Sequence, residues 1–324
     1  METEFLDLLD KKIISELDEN CRQSDAQIAR KARTSRAVIG YRIKQLEKKG
    51  VISNYITSVN LGKLGLGTYK IFFRLHNLTK EKEEDFFNFL KGRKEVIHCL
   101  RNEGNFNASA AIAVKDLKEL DSFLFEIKSR FAGILKDYSI TIVLYSKIFK
   151  LRKFMLGSEN TIKVESYSNA KKTAEIDEKD IQILKILSQD ARNSVIEIAK
   201  KTKMTIDVVR YRIKKLVDSG IITNFRVLLD FSKIGCFHYV FLVKFGIVKK
   251  NDEGRILQWS LKQPEVMYVS KKIGDWEYEL NVLLRNLDEL NAFIENLKSE
   301  FSDILDSYNL VLNSKAIKLN YFPY

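Results

Sequence analysis

Residues 36, 37, 40, 41 and 44 fall on one face if the chain around them is wound as a helix, and they are Arg36, Ala37, Gly40, Tyr41 and Lys44. The same spacing returns 170 residues later as Ile206, Asp207, Arg210, Tyr211 and Lys214. Arg42 and Arg212 border the two faces, and Ser35 and Thr205 stand just ahead of them, where a hydroxyl caps a helix start. Arg, Lys and Tyr on an exposed helix are hydrogen-bond donors for base edges and phosphates. The N-terminal part of such a helix enters the major groove of double-stranded DNA. Asp207 stands where the first face has Ala37 and Ile206 where it has Arg36. A carboxylate near a helix start suits the helix dipole but repels phosphate. The two faces are therefore expected to prefer different bases, with the second binding more weakly, which predicts a non-palindromic site.

Other chemistry finds little support. Cys21, Cys99 and Cys236 lie far apart without CxxC spacing, and His76, His98 and His238 are equally scattered. That argues against a disulfide framework and a zinc site. The chain offers no metal-ligand spacing, catalytic triad or glycine-rich phosphate loop. The expectation is a chain with no metal, no cofactor and no catalytic residues, and not an enzyme.

The elements that would position the two faces repeat with them. GYRIKQLEKKGVISNY at 40–55 and RYRIKKLVDSGIITNF at 210–225 share eight of sixteen residues, and the 170-residue offset holds from about residue 7 to about residue 150. A period this long marks duplication of a whole folding unit, not a solenoid. In copy 1, Leu6, Leu9, Ile13, Ile14 and Leu17 follow helical spacing; Ser24 caps a short helix with Ile28 and Ala29. Ser35 opens a third helix with Ile39, Ile43 and Leu46 inward and Gly50 as left-handed stop. Copy 2 repeats this with Ile181, Leu184 and Leu187, then Ile196 and Ala199, then Val209, Ile213 and Leu216, ending at Gly220. Alternating residues after each glycine predict the strands of a wing. The remainder of each copy reads strand–helix–strand–strand–helix–strand.

The expected class is therefore α+β: two copies of a winged helix-turn-helix domain followed by a ferredoxin-like βαββαβ domain. The expected boundaries are 1–60 and 61–150, a polar linker over 151–174, then 175–230 and 231–324. One face of each βαββαβ sheet lacks helices, and the other copy is available to cover it.

Composition agrees with this reading. The 324 residues are 45% hydrophobic, and no run approaches a membrane span of roughly 18 apolar residues. The N-terminus lacks the basic and apolar regions of a signal peptide, so the chain reads as cytosolic. The formal charge is +12, and two windows account for it. Residues 22–54 hold nine Lys/Arg against two acids, and 192–224 hold eight against three. The basic excess thus sits on the second and third helices, as in nucleic-acid-binding domains.

Several motifs carry a family resemblance: LDLLDKKIISEL and EIDEKDIQILKIL, YRIKQLEKKGVISNY and YRIKKLVDSGIITNF, GKLG and SKIG, and KIGDWEYELNV. Each copy resembles a complete Lrp/AsnC (feast/famine) regulator, and the match covers about 290 of the 324 residues. The resemblance implies a DNA-binding winged helix-turn-helix joined to a ligand domain that dimerises through its sheet. It also implies a small effector, often an amino acid. The duplication implies an intrachain pseudo-dimer, with further homo-oligomerisation allowed and no membrane partner. In the family's effector loop copy 2 has Gly274, Asp275, Trp276 and Glu277, whereas copy 1 has Gly104, Asn105, Phe106 and Asn107. A carboxylate holds an ammonium better than an amide does, so copy 2 is expected to be the effector-competent half.

A tetrapyrrole-processing (siroheme) decarboxylase group resembles the same architecture. It draws attention to His98 and Arg101, whose counterparts in copy 2 are Tyr268 and Lys271. A nucleoid-like architectural DNA-binding protein is a further alternative.

Overall fold

The computed structural model describes residues 6–157, 165–168, 174–246 and 249–323. Copy 1 runs α1 (Leu8–Glu19), α2 (Asp25–Ala32), α3 (Arg36–Lys48), β1 (Ile52–Val59), β2 (Gly67–Leu75), α4 (Lys80–Gly92), β3 (Val96–Gly104), β4 (Ala108–Val114), α5 (Leu117–Arg130) and β5 (Leu135–Ile148). Between the copies lie α6 (Arg152–Leu156) and β6 (Glu165–Ser168). Copy 2 runs α7 (Glu178–Gln189), α8 (Val195–Thr202), α9 (Ile206–Asp218), β7 (Ile222–Leu229), β8 (Phe237–Phe245), α10 (Lys250–Lys262), β9 (Val266–Gly274), β10 (Tyr278–Leu284), α11 (Leu287–Glu300) and β11 (Leu305–Leu319). No helix among the described residues is long and apolar enough to cross a membrane.

Contacts gather these elements into two units. The first takes Met1–Asn60, Ile148–Glu165 and Ala174–Cys236; the second takes Leu61–Lys147, Ser166–Thr173 and Phe237–Tyr324. Like parts of the two copies therefore pack together.

In the first unit the helix starts are capped by the side chains their sequence offers. Ser24 and Ser194 form capping boxes with Gln27 and Glu197, while Ser35 and Thr205 accept from the amides of Val38 and Val208. The turn into each third helix places a non-glycine residue in the left-handed region, Arg33 at φ 58° and Lys203 at φ 56°. Gly50 and Gly220, at φ 73° and 66°, end those helices. One core expectation is corrected: Ile196 is exposed, and Ile198, two residues on and on the opposite side of the helix, is fully buried.

The strand after each glycine forms, but its partner is the same strand of the other copy. β1 and β7 make a two-stranded antiparallel ribbon, with Tyr55 opposite Val227 and Thr57 opposite Phe225. Pseudo-symmetric bonds flank it: the Cys21 amide donates to Phe225 O (2.8 Å) and the Ala191 amide to Tyr55 O (2.9 Å). Arg22 lies over Phe225 and Arg192 over Tyr55. The contacts of Asp18 break the symmetry. Fully buried Asp18 accepts from Arg226 Nε (2.7 Å) and from the Leu151 amide (2.8 Å), and the 170-offset counterparts are Ser188 and Ile56. Within the stretch expected to be a linker, α6 therefore packs on α1, with Leu151 and Met155 buried. Residues 158–164 and 169–173 of that stretch lie outside the described residues.

In the second unit each copy forms a four-stranded antiparallel sheet, ordered β5-β2-β4-β3 and β11-β8-β10-β9. Pairings β3–β11 and β9–β5 join the sheets, so eight strands close on themselves, and β6 adds to β5. Closure leaves each sheet two different faces. Odd-numbered residues of β2, such as Ile71 and Phe73, meet α4 and α5 in an aromatic core with Phe86, Phe123 and Phe131. Even-numbered ones, Lys70 and Phe72, face the interior between the copies, where Phe72 packs with Phe106, Val240, Leu242 and Val311. The sheet face without helices is thus covered by the other copy.

Candidate functional site

On α3, Ile39, Ile43 and Leu46 are buried, which turns Arg36, Ala37, Tyr41 and Lys44 outward; Gly40 is half-buried between them. Tyr41 is 63% exposed. Among the described residues, Arg36, Lys44 and Lys48 make no ion pair or side-chain hydrogen bond. On α9, Ile206, Asp207, Arg210, Tyr211 and Lys214 are also exposed, with Tyr211 at 68%. Here the cations are engaged: Arg210 with Asp207 (2.7 Å) and Lys214 with Asp218 (2.5 Å). The positions of Asp207 and Asp218 are Ala37 and Lys48 in copy 1. Arg42 and Arg212 point elsewhere. Arg42 pairs with Asp7 (2.8 Å) and Asp10 (3.3 Å), and Arg212 with Asp177 (2.7 Å) and Asp180 (2.8 Å), fastening each third helix to the first helix of its own copy. The Asp180 amide and then Arg212 hold the Asp177 carboxyl below its ordinary range. Ser35 and Thr205 are spent on capping.

The loops between β3 and β4 and between β9 and β10 lie on the joint between the copies. Gly104 has φ 114°, and a Cβ there would sit 3.0 Å from Leu310 O; at Gly274, with φ 136°, it would sit 2.6 Å from Ile140 O. Only glycine fits such an approach. Asp275 accepts from Ser139 Oγ of copy 1 (2.6 Å), and Trp276 packs on the interior apolar cluster. Glu277 accepts from the Phe245 amide (3.0 Å), while Asn107 does the same for the Leu75 amide (2.7 Å). The acid-to-amide change at that position therefore keeps its structural task. The Asn105 carbonyl accepts from Arg74 Nε (3.1 Å).

A third constellation occupies the interior of the closed sheet. Lys272 and Glu279, both buried, form an ion pair, and Asn281 Nδ2 donates to the same carboxylate (2.9 Å). His238 Nε2 meets Asn281 Oδ1 (2.8 Å), Asn313 Nδ2 meets His238 Nδ1 (3.1 Å), and Asn102 Nδ2 donates to Asn313 Oδ1 (2.6 Å). Burial opposes the Glu279 charge, but Lys272 and Lys70 outweigh it and hold the carboxyl down to about 2. Burial pushes His98 down to about 3 and His238 to about 4, so both rings are neutral. Arg101 does not share the site with His98. Three residues apart on one strand, they face opposite sides, and Arg101 pairs with Glu83 (3.1 Å) over the Phe87 ring.

A winged helix-turn-helix DNA-binding family matches residues 6–53 and again 176–223. HTH-type transcriptional regulator FL11 of Pyrococcus horikoshii is 32% identical over 125 residues, covering 38% of this chain and 81% of that protein. HTH-type transcriptional regulator LrpB of Bacillus subtilis is 31% identical over 147 residues, 45% of this chain and 94% of that protein. The chain belongs to the Lrp/AsnC family. It is a tandem member, since each such relative spans about one copy.

For an Lrp/AsnC protein the structural likeness is instructive. The siroheme decarboxylase NirDL shares the fold over 97% of this chain and 93% of its own, with a TM-score of 0.61 at 15% identity. NirDL in co-complex with an iron-uroporphyrin III analogue matches equally, at a TM-score of 0.61 over 98% and 94%. The expectation that the chain is not an enzyme is corrected by this finding: the duplicated fold is one that an enzyme uses. The interior cluster does not show in the spacing of the histidines, which are scattered along the chain. The signal was present as polar residues at every second position, Tyr268, Ser270 and Lys272 on β9 and Glu279 and Asn281 on β10, on a face that covering should make apolar.

Proposed function

We propose that this Lrp/AsnC-family chain is a sequence-specific transcriptional regulator in which α3 reads bases and α9 contributes weaker, different contacts. The observation that carries the reading is the unpaired set Arg36, Tyr41 and Lys44 on an exposed, N-capped helix face, against the neutralised set on α9. The intrachain pairing of like parts supports a built-in pseudo-dimer presenting two unlike readers. Selection of bound sequences from a random duplex pool tests it: a non-palindromic site is expected, and a perfect palindrome overturns the asymmetry. A specific-to-nonspecific affinity ratio near one would favour the architectural alternative instead.

The effector is proposed to be an ammonium-bearing small molecule such as an amino acid, held at Gly274, Asp275, Trp276 and Glu277, while Gly104 and Asn105 form the pseudo-equivalent loop at the other seam. Because Ser139 already donates to Asp275, an arriving ammonium would compete at the joint between the copies, which gives binding a mechanical outlet. Calorimetry with an amino-acid panel on the wild type and Asp275→Asn checks this; unchanged binding removes the assignment.

A second reading, a tetrapyrrole decarboxylase-like enzyme, is favoured by the polar interior together with the fold shared with NirDL. An absorption spectrum of the purified protein with bound tetrapyrrole would raise it above the first.

A further inference from the structure

The interior of the closed sheet does not balance its charge. Lys70 is buried on β2, and the register sets it beside Ala111 and then His98 across β2, β4 and β3. Its ammonium lies 5.5 Å from the centre of the Phe72 ring, and that of Lys272 lies 5.2 Å from the same ring. Glu279 is committed to Lys272 and Asn281. Among the described residues the Lys70 ammonium has no hydrogen-bond or ion-pair partner. On the two neighbouring strands, His98 Nε2 and Asn102 Oδ1 of β3 and Ser109 Oγ of β4 are sealed from solvent with no partner. The Lys70 ammonium itself is not among those sealed atoms, so a little accessible space reaches it, and a counter-charge bound there would pair a cation held in a low-dielectric interior. His98, His238 and Tyr268 each keep some surface that a water-sized molecule can reach.

We propose that this interior binds one small-molecule carboxylate, docked on the Lys70 ammonium beside the His98 ring. The site is distinct from the 274–277 loop and independent of the DNA-binding reading. It is single because the copies diverged: the counterparts of Lys70, His98 and Glu279 are Val240, Tyr268 and Ser109. A homodimer of either half would repeat its own charges and could not leave one cation over. One unpaired cation selects a monoanion, and the lysines exclude metal cations.

The test uses the full chain with isotope-labelled histidine, whose three imidazoles are resolved by NMR, titrated with sodium acetate against sodium chloride at equal ionic strength. Saturable acetate-dependent shifts at His98 and His238, with His76 unmoved, are expected. Lys70→Met should weaken the response about tenfold or more, while Lys70→Arg retains it. Removing a buried, unpaired charge for an apolar side chain of similar length should leave the fold intact, which thermal unfolding checks. The proposal is overturned if the wild type gives no saturable shift, or if Lys70→Met responds as the wild type does.

Discussion

The third helices of the two copies share the residues that hold them in place and differ in what they do with charge. Arg42 and Arg212 make the same pairing to the first helix, and the buried Ile39 and Leu46 match Val209 and Leu216. On the outer face, α3 leaves Arg36, Lys44 and Lys48 unpaired, whereas α9 closes Arg210 on Asp207 and Lys214 on Asp218. Counting basic residues would rank the two helices as near equals. The difference lies in which cations are available to a phosphate, and that depends on a carboxylate three or four residues away along the helix.

The comparison can be broken at several points. The largest effect is expected at Asp18, a copy-1 acid without a counterpart. Asp18→Ala strands Arg226 and should cost about 3–5 kcal/mol in denaturant unfolding, whereas Ser188→Ala should be nearly silent. Next come the interior histidines, His98 of copy 1 and His238 of copy 2. Their folded values near 3 and 4 lie below that of an exposed imidazole, so the unfolded chain binds more protons as pH falls below about 6.5. Stability is therefore fully present above that pH and lost below it, by up to about 1.4 kcal/mol per pH unit for each ring. Unfolding midpoints measured between pH 7 and 5 should show this slope, and His238→Asn should remove about half of it.

On DNA, Arg36→Ala is expected to cost about 1–3 kcal/mol at a selected site. Arg210→Ala should change affinity only slightly in the same fluorescence-anisotropy titration. Equal losses would end the asymmetry argument. The smallest effect is a gain: Asp207→Asn frees Arg210 and should steepen the salt dependence of binding by at most about one unit of log–log slope.

Local features were legible in sequence because they have local causes. The caps at Ser24, Ser35 and Thr205 and the stops at Gly50 and Gly220 each follow from one side chain or its lack. The order of strands and helices in both ferredoxin-like parts followed from period changes. What strand pattern cannot give is the partner. Alternation is expected in ISNYITSV, yet Tyr55–Val59 are all buried, because pairing with β7 rather than with a strand of its own copy depends on docking across 170 residues. The interior cluster escaped for a related reason: His98 and Lys70 meet across copy 1's own sheet, but only closure of the two sheets brings Glu279 to them. Ile196 was misplaced because α8 offers isoleucine at 196 and 198, and the helix turn alone decides which is buried.

The closed sheet also has a consequence for synthesis. Its seams pair Gly104 with Val311 and Asn102 with Asn313, residues made about 200 positions apart. At about 5–20 residues per second, the first half must wait about 10–40 seconds on the ribosome before its seam partner emerges. During that interval the edge of β3 and the face carrying Lys70 and His98 are uncovered. A lysine on a bare sheet face discourages the wrong neighbour from docking there. The same side chain that leaves a charge to be matched in the finished protein thus guards the nascent one.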